Sequence, residues 1–291
     1  MLRRDSRPWR PTVAPTRAAD RVGAGPQLVT TPHAGEASMS RSRSTGGLRI
    51  AALTLAAALA LPTPAAAQGG GDGFLFRPPV ASLTLRGGVD RALGNSDVFD
   101  FARDRLTLGS NAFTGFNAGA DLAINATDRI DVVFGISHAR SSARSEFRRF
   151  VDQDDLPIEQ TTALARTPLT ASIRAYLTPR GREIGRFAWV PARVSPYVGV
   201  GGGAMWYRFT QDGDFVDEET LDVFPATLRS TGWTPTAHGL AGVEFSLSPR
   251  VAVATEARYN WARATMSDDF RDFDRIDLSG LVATAGLSFR F

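Results

Sequence analysis

The chain has 291 residues, a formal charge of +3 and no cysteine, which excludes a disulfide framework, a thiol site and a lipid-anchored cysteine. Nine of its 33 basic residues and three of its 30 acids precede Gln68, leaving 24 basic against 27 acidic side chains beyond that point. The basic character therefore belongs to the leader, and a nucleic-acid partner is not expected.

Residues 1–38 are rich in Pro and Arg without periodicity and read as a disordered extension or a mis-assigned start, with Met39 the expected initiator. From 39 to 67 the pattern is that of a secretory signal peptide. An Arg-bearing stretch leads into an apolar run from Ile50 to Leu61, followed by Ala65, Ala66 and Ala67 before Gln68. As a helix that run would span roughly 18 Å, too short for a hydrocarbon core of about 30 Å. Residues 68–79 form a short lead-in, and 80–291 carry the fold.

Beyond the leader, apolar and polar residues alternate with period two in eight segments. Leu83, Leu85 and Val89 oppose Ser82, Thr84 and Arg86. Phe116, Ala118, Ala120, Leu122 and Ile124 oppose Asn117, Gly119, Asp121 and Asn125. Ile130 to Ile136 and Leu169 to Leu177 repeat the pattern, placing Asp131 and Arg174 on the polar side. Val198 to Trp206 faces a run of glycines, Ala237 to Leu247 opposes His238 and Glu244, and Val251 to Trp261 opposes Glu256 and Arg258. The eighth segment ends the sequence: Leu281, Ala283, Ala285, Leu287, Phe289 and Phe291 on one face, small residues and Arg290 on the other.

An even number of alternating strands with one greasy face predicts a closed antiparallel transmembrane β-barrel, because closure leaves no unpaired edge in lipid. Tight turns are expected at 125–129 and 248–250, with long loops near 93–111, 150–160, 210–232 and 264–275. The 178–196 link is too long for the short-turn side and reads as a Pro-broken excursion. Phe116, Trp206, Trp233, Tyr259 and Trp261 fall near the long-loop end, and Phe245, Phe289 and Phe291 near the other, as two aromatic girdles would.

The ending Thr284-x-Gly286-x-x-Phe289-x-Phe291 resembles the C-terminal signal of bacterial outer-membrane barrels. With the export signal and eight segments, residues 80–291 resemble the small eight-stranded outer-membrane family that includes the OmpA membrane domain and OmpW-like porin-family barrels. The resemblance implies an all-β, eight-stranded antiparallel barrel in the cell outer membrane. It also implies contact with outer-membrane lipid and lipopolysaccharide, and delivery by the barrel-assembly machinery through Thr284, Gly286, Phe289 and Phe291. A monomer without cofactor is expected.

Alternation points seven charged side chains inward: Arg86, Asp121, Asp131, Arg174, Glu244, Glu256 and Arg258. In a narrow barrel these are expected to pair as salt bridges that plug the lumen, or to exchange partners as a gate for small solutes. Three long loops are acidic, "FVDQDD", "QDGDFVDEET" and "MSDDFRDFDRID", suiting a solvated surface or divalent cations bridging to lipopolysaccharide. Envelope integrity, surface contact and limited small-solute passage are the expected roles. The alternative is a lipid-modifying enzyme of deacylase or phospholipase type, but neither His138 nor His238 is followed two positions later by serine. No catalytic, cofactor or metal residue is assigned.

Overall fold

The computed structural model describes residues 73–291 apart from 110, 152–154, 218, 219 and 221. The leader and the 1–38 extension lie outside the described residues. Eight long strands form a closed antiparallel ring: β1 (Ala81–Ala92), β2 (Thr114–Asn125), β3 (Ile130–Val151), β4 (Pro157–Tyr176), β7 (Val194–Val216), β8 (Val223–Ser246), β9 (Val251–Ala264) and β11 (Gly280–Arg290). The closing seam joins first to last, with Ser82 opposite Arg290 and Ala92 opposite Gly280. Short β5 (Gly181–Ile184) and β6 (Ala188–Pro191) form a separate hairpin, and β10 (Ile276–Asp277) adds to β9.

The two faces of the ring follow the alternation. Ser82, Thr84, Arg86 and Asp90 are buried, whereas Leu83, Leu85 and Val89 are exposed on the outside. From Phe116 to Ile124 the outward apolar positions of β2 extend roughly 27 Å along the strand, or about 21 Å along the barrel axis at a tilt near 40°, close to the apolar band of a transmembrane barrel. Phe116, Trp233 and Trp261 are outward and exposed toward one end, and Phe245, Phe289 and Phe291 toward the other.

Two of the four expected long loops are strand. The register continues through Glu146 opposite Glu159 on the β3 and β4 side, and through Val216 opposite Val223 between β7 and β8. These four strands run 20 to 24 residues, against 12 in β1 and β2, so half the wall rises past the apolar belt. The apolar alternation stops there, but polar side chains on both faces are compatible with a hairpin standing in water.

The 93–111 link holds helix α1 (Asp97–Arg105). Asp97 and Asp100 occupy its first turn and Arg103 and Arg105 its last, each sign complementing the helix dipole. Nine residues would not hold a helix alone. Packing does so: Val98, Phe99 and Ala102 are buried in the barrel mouth, in one apolar cluster with Leu106, Phe113, Leu164, Met205, Phe209, Phe270 and Leu278. Gly94 before it adopts φ +60 with the Phe99 ring 3.1 Å from where a Cβ would stand, so the entry turn requires glycine.

The 178–196 link is the β5–β6 hairpin. It is anchored by a two-way bridge between Leu75 and Trp189, 2.8 and 2.7 Å, and by Arg180 donating to the Thr127 carbonyl at 2.6 Å. A Pro-broken excursion understates it, because these bonds lay it against the lead-in and the 126–129 turn.

Candidate functional site: the barrel lumen

At the short-turn end, alternation delivers the expected charges to one place. Glu256 is the hub. Its Oε1 accepts Arg258 Nη2 at 2.9 Å and Arg86 Nη1 at 3.3 Å, and its Oε2 accepts Arg174 Nη2 at 3.3 Å and the Tyr197 hydroxyl at 3.2 Å. Arg86 also donates to Asp121 at 3.0 Å, with Arg258 4.0 Å from the same carboxylate. Glu244 accepts the Tyr176 hydroxyl at 2.8 Å and lies 3.7 Å from Arg174. All six charged side chains of this group are about nine-tenths buried or more.

Asp131 lies at the edge of the network. Arg180, from the 177–180 link, reaches 2.9 Å from its Oδ1, an ion pair that lacks hydrogen-bond alignment. The seven expected residues thus form one connected set of six plus Asp131 with Arg180.

Several members were not singled out in the sequence. Arg290 donates to Glu244 at 3.0 Å and to Ser246 at 2.9 Å. Its inward parity is legible in the last segment, one residue before Phe291. Tyr176 and Tyr197 contribute hydroxyls, and the Arg174 guanidinium lies over the Tyr197 ring at 4.4 Å. The Tyr197 ring occupies the space a Cβ on Gly242 would fill, one reason a small residue stands there. A second ion pair, Arg166 with Asp90, sits further along, and Arg166 also donates to the Leu278 carbonyl at 2.5 Å. It was missed because Arg166 lies before the alternation recognised in the fourth segment.

Beyond that pair the lumen turns apolar. Phe99 packs edge-on against Phe113 and Phe209 at 4.7 and 5.7 Å, and Phe209 against Phe270 at 5.4 Å. Tyr207 ties this plug to β8 and to the loop after β9, its hydroxyl bonding Ser230 at 2.9 Å and the Thr265 carbonyl at 2.8 Å. Arginine and glutamate fill the lower lumen, and aromatic rings close the upper.

The histidines part company. His238 faces the lumen, 2% exposed, with neither ring nitrogen bonded to a described residue. His138 faces outward and lies 2.8 Å from the Thr167 hydroxyl. A nucleophile and base of hydrolytic type need a third group that orients the imidazole, and His138 has no such contact among the described residues.

Around the acidic 266–277 loop, carboxylates serve the backbone. Asp269 accepts the Arg229 amide at 2.9 Å and Asp97 the Asp274 amide at 2.7 Å. Among the described residues no three His, Asp or Glu converge as a metal site would require.

A closed eight-stranded ring, charged in its lower lumen and belted with apolar and aromatic residues outside, defines a small outer-membrane β-barrel. No protein-family model matches the chain, and no curated protein does. Solved structures similar to it include the outer membrane protein OprG from Pseudomonas aeruginosa, 13% identical over 75% of this chain and 99% of that one, with a TM-score of 0.43. Ail, the attachment invasion locus protein of Yersinia pestis, is 14% identical over 73% of this chain and 100% of that one, TM-score 0.38. Neisserial surface protein A is 14% identical over 77% of this chain and 100% of that one, TM-score 0.37. The class rests on this chain's own ring and belts.

Proposed function

We propose that the protein is a non-catalytic, non-conducting outer-membrane barrel that supports envelope integrity and presents its raised strands and α1 for surface contact. The observation that carries this is the double closure of the lumen, an ion-pair layer below and an aromatic plug above. Lumenal cavities lined by Asp90, Phe113 and Arg166, and by Tyr176, Glu244 and Arg290, are each about 10 Å³, room for roughly one water molecule. A solute would have to separate Glu256 from three arginines and displace α1 as well. Planar-bilayer recording of the refolded protein tests this: silence at moderate voltage is expected, and stable single-channel steps would move the function to small-solute passage.

A further inference from the structure

Five arginines of the ring, Arg86, Arg166, Arg174, Arg258 and Arg290, face inward to a carboxylate, and among those that point outward Arg140 and Arg208 share one row just above the Trp206 position. Arg140 on β3 and Arg208 on β7 are both exposed and occupy the same row as Ala165 of β4, which stands directly between them: Arg140 opposite Ala165, and Ala165 opposite Arg208. Their Cα atoms are therefore two strand spacings apart, roughly 9.6 Å. The methyl of Ala165 leaves the space between them open. Neither guanidinium has an ion pair among the described residues, and that of Arg208 lies over the Trp206 ring at 5.0 Å.

Their height on the wall gives them meaning. One row toward the short-turn end lie His138, Thr167 and Trp206, with Trp233 directly opposite Trp206 on β8. Below that the outward face is Ile136, Leu169, Ala171, Val200 and Ile173. The arginines thus sit immediately above the aromatic girdle, where the headgroups of the outer leaflet lie. The nearest outward acid on these strands, Asp212, is two rows higher, about 14 Å along the strand, and accepts the Thr227 hydroxyl.

We infer that Arg140 and Arg208 form a docking site for a phosphate of a lipid A type glycolipid, whose acyl chains run down the belt beneath them. Two outward guanidiniums on one row suit a phosphate, offering planar forks of donors to its oxygens. The choice of a glycolipid over a phospholipid comes from the wall above. β7 and β8 continue about ten residues past the paired tryptophans, roughly 30 Å along the strand. Hydroxyls surround the arginine row: Thr231 stands in it opposite Arg208, Ser142 and Thr210 stand one row above beside Ala163 and Arg229, and Thr161 two rows above. A sugar headgroup has hydroxyls to meet that surface; a phospholipid headgroup ends below it.

The site rests on the outer-membrane placement, and one experiment separates the two. The mature protein is refolded in micelles, offered bisphosphorylated lipid A, its phosphate-free form or phosphatidylglycerol, and examined by native mass spectrometry. Wild type and Arg149→Ala, whose substitution lies in the rim above, should retain one bisphosphorylated lipid A. The double substitution Arg140→Ala with Arg208→Ala should lower retention at least tenfold while the barrel still shows heat-modifiable migration in gels. Equal retention by the double variant, or of phosphatidylglycerol or phosphate-free lipid A by wild type, would overturn the site. A chain that folds and stays soluble without detergent would instead overturn the membrane placement.

Discussion

Arg166 on β4 crosses the lumen to Asp90 on β1, a strand three places away around the ring, and both side chains are more than nine-tenths buried. The pair marks the boundary between the charged layer and the aromatic plug. Its second tie, to the Leu278 carbonyl, adds the segment before β11.

Arg166→Ala is expected to cost about 3–5 kcal/mol, because it strands the Asp90 carboxylate in a closed interior. Replacing both members, Arg166→Met with Asp90→Leu, should recover most of that loss, since a packed apolar pair carries no desolvation penalty. Urea unfolding in lipid bilayers, followed by tryptophan fluorescence, checks both. A double variant as unstable as the single one would show that the Leu278 tie dominates.

Glu256 is expected to be costlier to remove than any arginine it holds. Glu256→Ala leaves Arg86, Arg174 and Arg258 facing one another with only Asp121 and Glu244 to share. Arg258→Ala, by contrast, leaves both Asp121 and Glu256 paired to Arg86, so its cost should lie near or below the lower end of about 3–5 kcal/mol. The same unfolding measurement ranks the two, and a reversed order would refute the hub.

Phe99→Ala should destabilise the upper closure by about 3–5 kcal/mol, the cost of emptying a fully buried aromatic site. Conductance should remain absent, because the ion-pair layer below is untouched. Channel steps from this variant alone would show that the plug is the sole barrier.

If the terminal motif is an assembly signal, Phe291→Ala should reduce outer-membrane delivery in cells and leave refolding in micelles nearly unchanged. The Phe291 ring is half exposed, so it holds well under the roughly 1.5–3 kcal/mol of a fully buried side chain. Its backbone bonds to Val80 and Ala81 survive the substitution. Equal impairment in both assays would make the ring a stability element instead. For the leader, N-terminal sequencing of membrane-extracted protein is expected to begin at Gln68, and a mature chain retaining residues 1–38 would contradict the assigned start.

The lipid-modifying alternative meets its test in lipid A mass analysis after expression in a host, where an unchanged profile is expected. A deacylated or newly acylated product would direct attention to His138 and Thr167, the outward imidazole and hydroxyl 2.8 Å apart.

By itself the sequence determined the eight strands, the face each side chain presents and the inward parity of Arg86, Asp121, Arg174, Glu244, Glu256 and Arg258. A period-two pattern is local, and a pleated strand obliges it to resolve into two faces. It could not determine which arginine meets which carboxylate, because pairing depends on strand register and on reach across the lumen: Arg174 finds Glu256 82 residues away, and Arg86 finds it 170 away. Nor could it foresee the plug. Phe99, Phe209 and Phe270 come from a loop helix, a strand continuation and a short 3-10 turn, three segments whose apolar residues are too few for a periodic signal. Only closure of the ring brings them over one opening, where burying them together is favourable and leaving any of them in water is not.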